Sequence, residues 1–156
     1  MKQNKLKANI QFHFPESEFR LSKKRVIRAW IYSVIKQHRY KIDEINFIFV
    51  GDESLLKMNQ QILAHDYYTD IMTFPYHSKK SKRLQSDIFI SYDRVNDNAQ
   101  QNNSSFIEEL QRVIIHGVLH LLGYDDHNNA DITKMRNAET KALKKRPKKL
   151  KRLLPF

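Results

Sequence analysis

Apolar and polar residues alternate along this chain with two different periods, and each change of period marks an element. Residues 8–14 (Ala8-Asn9-Ile10-Gln11-Phe12-His13-Phe14) alternate one by one, as a half-buried strand does, and Pro15 ends the run. From Ser22 onward, Val26, Ile27, Trp30, Ile31, Val34 and Ile35 recur at helical spacing, with Lys23, Lys24, Arg25 and Arg28 on the opposite side. Residues 45–50 predict a second strand, stopped by Gly51-Asp52, and a short helix over 53–60 leads into a polar loop. Ile71 to Phe74 predicts a third strand closed by Pro75. Asp87 to Ile90 predicts a fourth, followed by a helix near 92–101.

The next helix differs from the others. Ser105, with Glu108 three residues on, makes a capping box that opens it. Phe106, Ile107, Leu110, Val113, Ile114, Gly117, Val118 and Leu121 cover one broad face, while Ile115, Leu119 and Leu122 lie on the other. A helix that is apolar nearly all round is a buried helix. Gly123 stands where a left-handed terminating residue belongs. A last amphipathic helix, with Ile132, Met135, Ala138, Ala142 and Leu143 inward, runs into a basic tail. The expected architecture is a single α+β domain over residues 1–145, with about four strands in a mixed sheet packed with helices, and a tail over 146–156.

Composition narrows the function classes. The chain has 156 residues, 40% of them hydrophobic and 11% aromatic, enough for one proper core. It has no cysteine, which excludes a disulfide scaffold, a thiolate nucleophile and a Cys-rich zinc finger. No run approaches the roughly 20 apolar residues that span a bilayer, and the first residues have no apolar stretch behind their charges, so a cytoplasmic protein without a membrane role is expected. The net charge of +11 is unevenly placed. Eight positive charges fall between Lys141 and Arg152 with no acid from 141 to the end, leaving 20 basic residues against 17 acidic ones elsewhere. Such a tail suits a solvated terminus or contact with a nucleic-acid backbone.

Between Val113 and Leu122 the only ionisable side chains are His116 and His120. At four residues apart they project from one helix face, about 40° apart and one turn along. Both can reach one metal ion at roughly 2.0–2.1 Å, and without partners two imidazoles in an apolar helix would cost several kcal/mol, on the order of 2–7 per unmet group. A catalytic zinc takes three protein ligands and keeps a position for water. After Gly123 turns the chain, Tyr124-Asp125-Asp126-His127 comes back towards the pair, so the third ligand is Asp126 or His127; spacing alone does not choose. The HxxxH pattern is that of zinc peptidases except at its second position, where Gly117 replaces the glutamate that serves them as general base. A metal in such a site can instead acidify water and polarise a phosphoryl oxygen.

At His116-Gly117-Val118-Leu119-His120-Leu121-Leu122-Gly123-Tyr124-Asp125-Asp126 the chain resembles the YbeY family of bacterial rRNA-maturation endoribonucleases, whose motif reads HGxxHLxGYDH. Asn59, Asp66, Thr69-Asp70 and Phe74-Pro75 resemble that family's LN…D..TDVLSFP segment. Asp87-Ile88 resembles its GDI strand, with Ser86 for the glycine, and Met135 and Glu139 fall in register with its closing helix. The resemblance implies one Zn2+ ion and single-strand-specific, metal-dependent RNA cleavage. It further implies a role in maturing the 3′ end of small-subunit rRNA and in ribosome quality control, with ribosomal RNA and the small subunit as partners.

Two departures stand out. The family's third histidine falls at Asp126, with a histidine displaced to His127; an ungapped register makes Asp126 the ligand. The family's arginine four residues after the asparagine, thought to engage RNA phosphate, falls at Leu63, which cannot hold one. Lys79, Lys80, Lys82 and Arg83, or Lys144, Lys145 and Arg146, are the candidate replacements for RNA contact. Tyr67 and Tyr68, beside a His65 that reads as a surface histidine, are of a kind common in loops, with stacking on an unpaired base as the lesser reading. Two other readings fit parts of the pattern: a non-catalytic, metal-stabilised rRNA-binding assembly factor with a closed ligand shell, and a zinc peptidase.

Overall fold

The computed structural model describes residues 9–16 and 19–151, so the expectations for Ala8 and Arg152 lie outside the described residues. Four strands, β1 (Ile10–His13), β2 (Lys41–Val50), β3 (Ile71–Pro75) and β4 (Arg83–Ser91), form one sheet in the order β1-β2-β4-β3. β1 and β4 run parallel to β2, and β3 pairs antiparallel with β4. The sheet is therefore mixed, as expected. Six helices accompany it among the described residues: α1 (Lys24–Gln37), α2 (Asp52–Leu63), α3 (Tyr92–Gln101), α4 (Phe106–Leu121), α5 (Asn129–Lys144) and the single turn α6 (Lys148–Lys151).

Strand alternation separates two apolar layers. Ile45, Phe47 and Phe49 of β2 and Ile88 and Ile90 of β4 enter the main core with the inward faces of α1, α4 and α5. Val50 and Met72 meet Leu55 of α2 in a smaller cluster that also takes in Ile48, Phe74 and Phe89. Trp30, 1% exposed, joins two helices by donating its indole N–H to the Ala142 carbonyl at 2.9 Å. Burial of so large a ring with its one polar atom satisfied gives full apolar gain without a desolvation cost.

The strands and short helix run longer than their apolar cores predict. β2 begins at Lys41 and β4 at Arg83, because Lys41 to Ile42 pair with Arg83 to Leu84 ahead of an irregularity at Ile42/Glu44. Backbone pairing does not require apolar side chains, so the periodic signal undercounts it. The basic stretch expected as a loop is accordingly split: Lys79, Lys80 and Lys82 are exposed in the β3–β4 connection, while Arg83 is a strand residue.

α4 is the buried helix that the sequence predicts, with ten of its sixteen residues buried. Ser105 caps it by accepting from the Glu108 amide at 3.1 Å. The reciprocal half of the capping box is absent: the Glu108 carboxylate instead accepts from Arg146 at 2.9 Å. The start of the basic tail is thus tied to the body. Arg146 has a 10%-exposed side chain held by Glu108 and Gln111, and Leu150 is buried in the main core.

Ser105→Ala leaves the Glu108 amide without its side-chain acceptor. The expected loss is about 1 kcal/mol of unfolding free energy, read from the urea midpoint with unchanged slope.

Candidate metal centre

α4 carries His116 and His120 on the rim of the core, with 22% and 23% of their side chains exposed. The rings stand nearly perpendicular, with centroids 4.6 Å apart and their Nε2 atoms 3.0 Å apart. Beyond Leu122, Gly123 takes φ +100, a conformation that would strain any side chain, and the Tyr124 amide returns to the Leu119 carbonyl. That reversal brings Asp126 back over the helix end. Its Oδ2 lies 3.6 Å from His116 Nε2 and 3.5 Å from His120 Nε2.

His116, His120 and Asp126 form the group able to hold a metal ion among the described residues. Their donor atoms fit one. A tetrahedral zinc bonded at about 2.0–2.1 Å spaces its donors about 3.3 Å apart, and the three separations here are 3.0, 3.5 and 3.6 Å. His127 takes no part: its side chain is 81% exposed and its nearest acid is Asp125 at 3.8 Å. Three protein donors, one of them the half-exposed Asp126, leave the outer side of the group facing solvent.

Behind His116 stands a residue whose role the sequence did not reveal. Glu139 of α5 is 7% exposed, and its Oε1 accepts from His116 Nδ1 at 2.6 Å while Oε2 lies 3.3 Å from Arg112. A carboxylate accepts only, so the proton of neutral His116 sits on Nδ1 and its Nε2 lone pair faces His120 and Asp126. Such an outer carboxylate fixes the ring and strengthens it as a ligand. The sequence signal was available: Glu139 follows Met135 by one turn and shares its buried face, where an acid is rare unless paired.

Burial and neighbouring charges move the pKa values of the two rings in opposite directions. Burial alone would lower the His116 pKa, but the hydrogen bond and charge of Glu139, with Asp70 and Asp126, carry it above the ordinary value. Burial and then the neighbouring His116 hold His120 below its ordinary value. Asp70, entering β3, is itself raised, first by burial and against the opposing charge of His116.

Gly117 shows why the peptidase pattern fails here. A Cβ on it would lie 2.6 Å from Ile71 Cδ1 and 3.3 Å from Ile88 Cγ2, so this position faces the sheet between β3 and β4. A glutamate there would enter the core and not the metal group. The remaining histidines sit elsewhere: His13 on Asn46, His38 between Val34 and Tyr124, His77 on Gln85, and His65 stacked on Tyr67.

The candidate RNA contacts do not gather at the centre. Arg83 is paired with Asp43 at 2.6 Å, Lys82 lies over the Tyr40 ring and Lys145 donates to Gln37. Lys79, Lys80 and Lys144 are exposed. Arg146 donates to the Glu108 carboxylate and the Gln111 side-chain carbonyl. Leu63, the last residue of α2, is 48% exposed, in keeping with a position that offers no charge.

The model of the family described as Endoribonuclease YbeY matches residues 9–146. A relative of that name from Cytophaga hutchinsonii is 45% identical over 139 residues, covering 88% of this chain and 96% of its own. Another from Bacteroides thetaiotaomicron is 46% identical over 121 residues, covering 78% and 87%. Among solved structures, the solution structure of TM1509 from Thermotoga maritima superposes with a TM-score of 0.61 at 24% identity, covering 86% of this chain and 87% of that one. It supports the fold.

Zinc titration against a chelating indicator tests the donor set. Asp126→Ala weakens binding at least about tenfold, His127→Ala leaves it unchanged, and Glu139→Gln weakens it about tenfold. Equal losses for Asp126→Ala and His127→Ala would disprove the assignment. Because His116 holds its proton above the ordinary histidine range, affinity falls with pH from a higher starting point than an isolated histidine site. Titrations between about pH 8 and 6 read this directly, and a decline confined to below about 6.5 would contradict it.

Proposed function

The chain belongs to the Endoribonuclease YbeY family, and we propose that it cleaves single-stranded RNA at a zinc ion held by His116, His120 and Asp126. It is a hydrolase acting on RNA, as its family is. The observation that carries the finer reading is the convergence of two Nε2 atoms and one carboxylate oxygen at the spacing of a zinc ion's ligands, with one side facing solvent. Nitrogen and oxygen donors without thiolate suit zinc among borderline ions.

When bound, such an ion supplies Lewis-acid polarisation of a phosphoryl oxygen and lowers the pKa of water towards neutrality. The chain's own residues do the rest. His116 and His120 hold the ion from a helix that the core immobilises on most of its circumference. Glu139 keeps the His116 proton on Nδ1, away from the ion. Asp126 closes the donor set from beyond the Gly123 turn and contributes a negative charge that a neutral imidazole would not.

Maturation of the small-subunit rRNA 3′ end and ribosome quality control are the setting we propose, with ribosomal RNA as the physiological substrate and the cytoplasm as the place. No described helix is long and apolar enough to cross a membrane. The three-donor group favours this reading over a structural metal in a non-catalytic assembly factor, since a structural zinc takes a closed shell of four protein ligands.

Purified protein loaded with zinc is expected to cut an unstructured oligoribonucleotide and spare the duplex form. Chelator abolishes the cleavage, zinc restores it, and His116→Ala lowers it by a factor on the order of a hundred or more. In cells, loss of the protein leads to small-subunit rRNA with unprocessed 3′ ends. A zinc-loaded protein inert towards every single-stranded RNA tested overturns the catalytic reading.

A further inference from the structure

Four of the large apolar side chains exposed among the described residues fall within seven positions. Ile62 and Leu63 end α2, and Tyr67 and Tyr68 follow in the connection to β3, with 56, 48, 56 and 46% of their surfaces exposed. A stretch this rich in open apolar surface marks a binding surface more often than a plain loop.

The connection is built and not slack. Asn59, 2% exposed, donates to the Tyr67 carbonyl at 2.9 Å, and its own carbonyl accepts from the His65 amide. Each tyrosine is fixed at its hydroxyl and backed on one face. Tyr67 hydrogen-bonds His65 Nδ1 at 2.9 Å and stacks on that imidazole with centroids 5.1 Å apart. Tyr68 donates to Glu53 at 2.7 Å, and the Arg94 guanidinium lies 4.9 Å from its ring centre. With one face covered and about half the residue exposed, each ring offers its other face to solvent.

This surface leads into the strand that packs under the metal-bearing helix. Three residues past Tyr68 comes Ile71, the first residue of β3, whose side chain lies against Gly117 of α4, the residue that follows His116. We propose that Tyr67 and Tyr68 form a stacking platform for unpaired nucleobases, leading a single strand of RNA to the metal group. The proposal rests on the reading of the chain as a single-strand endoribonuclease.

Aromatic faces select bases, and the neighbouring charges do not gather phosphate. Glu53 and Asp66 flank the rings, the Arg94 guanidinium beside Tyr68 is paired with Asp52 and Asp97, and Leu63 offers no cation. Affinity here comes from stacking, which tolerates any base sequence, and the rings' rigidity lowers the ordering cost of binding. A double helix keeps its bases stacked on one another and presents none to the platform. Stacking therefore supplies a preference for single strands at a position where a phosphate-binding side chain would accept either form.

The test uses the zinc-loaded protein and a fluorescent, 2′-O-methylated oligonucleotide of about ten residues that resists cleavage. Tyr67→Ala and Tyr68→Ala each weaken binding about 5- to 100-fold. Tyr67→Phe and Tyr68→Phe retain it. The dependence of log Kd on log salt keeps its slope in the alanine variants, since no phosphate contact is lost, and zinc affinity is unchanged. Unchanged RNA affinity in both alanine variants overturns the platform. So does a change of oligomeric state in place of a change in RNA binding, which would assign the surface to a second copy. Wild-type protein that neither binds nor cuts single-stranded RNA defeats the functional reading itself; wild-type binding undiminished in the variants defeats the platform alone.

Discussion

Two imidazole nitrogens and a carboxylate oxygen held within 3.6 Å of one another repel unless a cation stands among them. The rest of the molecule is arranged to hold that group together. Glu139 removes the alternative in which His116 turns its protonated nitrogen inward, and the packing of α4 on the sheet prevents the rings from moving apart. A proton on one of the imidazoles can serve as the cation, and a divalent ion serves better because it satisfies all three donors at once.

The core exists on the scale this requires. α4 is covered by β3 and β4 below, α1 and α5 beside it and α3 at its start, so its histidines start from a backbone with little freedom. Gly117 lets the helix approach the sheet closely between the two ligands. The same residue that separates this chain from the zinc peptidases is therefore a packing requirement.

The substrate side is built differently. Its tyrosines sit on a connection, where elements leave the backbone free to vary, yet a buried asparagine gives that connection the order of a secondary element. Ser86 performs a comparable service on β4, where its hydroxyl bonds the Phe74 carbonyl at 3.1 Å on the neighbouring strand. Small polar residues at 1–2% exposure pin the connection before β3 and the far end of β3 itself.

What could be read from the sequence was what depends on residues near one another along the chain. The sheet's strands, the buried helix, its Ser105 cap, the Gly123 turn and the pairing of His116 with His120 all follow from spacing within a few turns. The register of the family motif also favoured Asp126. What local spacing left open was decided by packing between elements distant in sequence. Whether Asp126 or His127 faced the pair depended on how the chain left Gly123, and the two differ by one residue and opposite directions. Glu139 reached His116 across 23 residues because α5 packs along α4. Arg146 met Glu108 and Gln111 across more than 30 residues because the chain after α5 packs back on the start of α4. Periodicity reports which face of an element is apolar; only the angle and height at which two elements meet determine which polar groups touch.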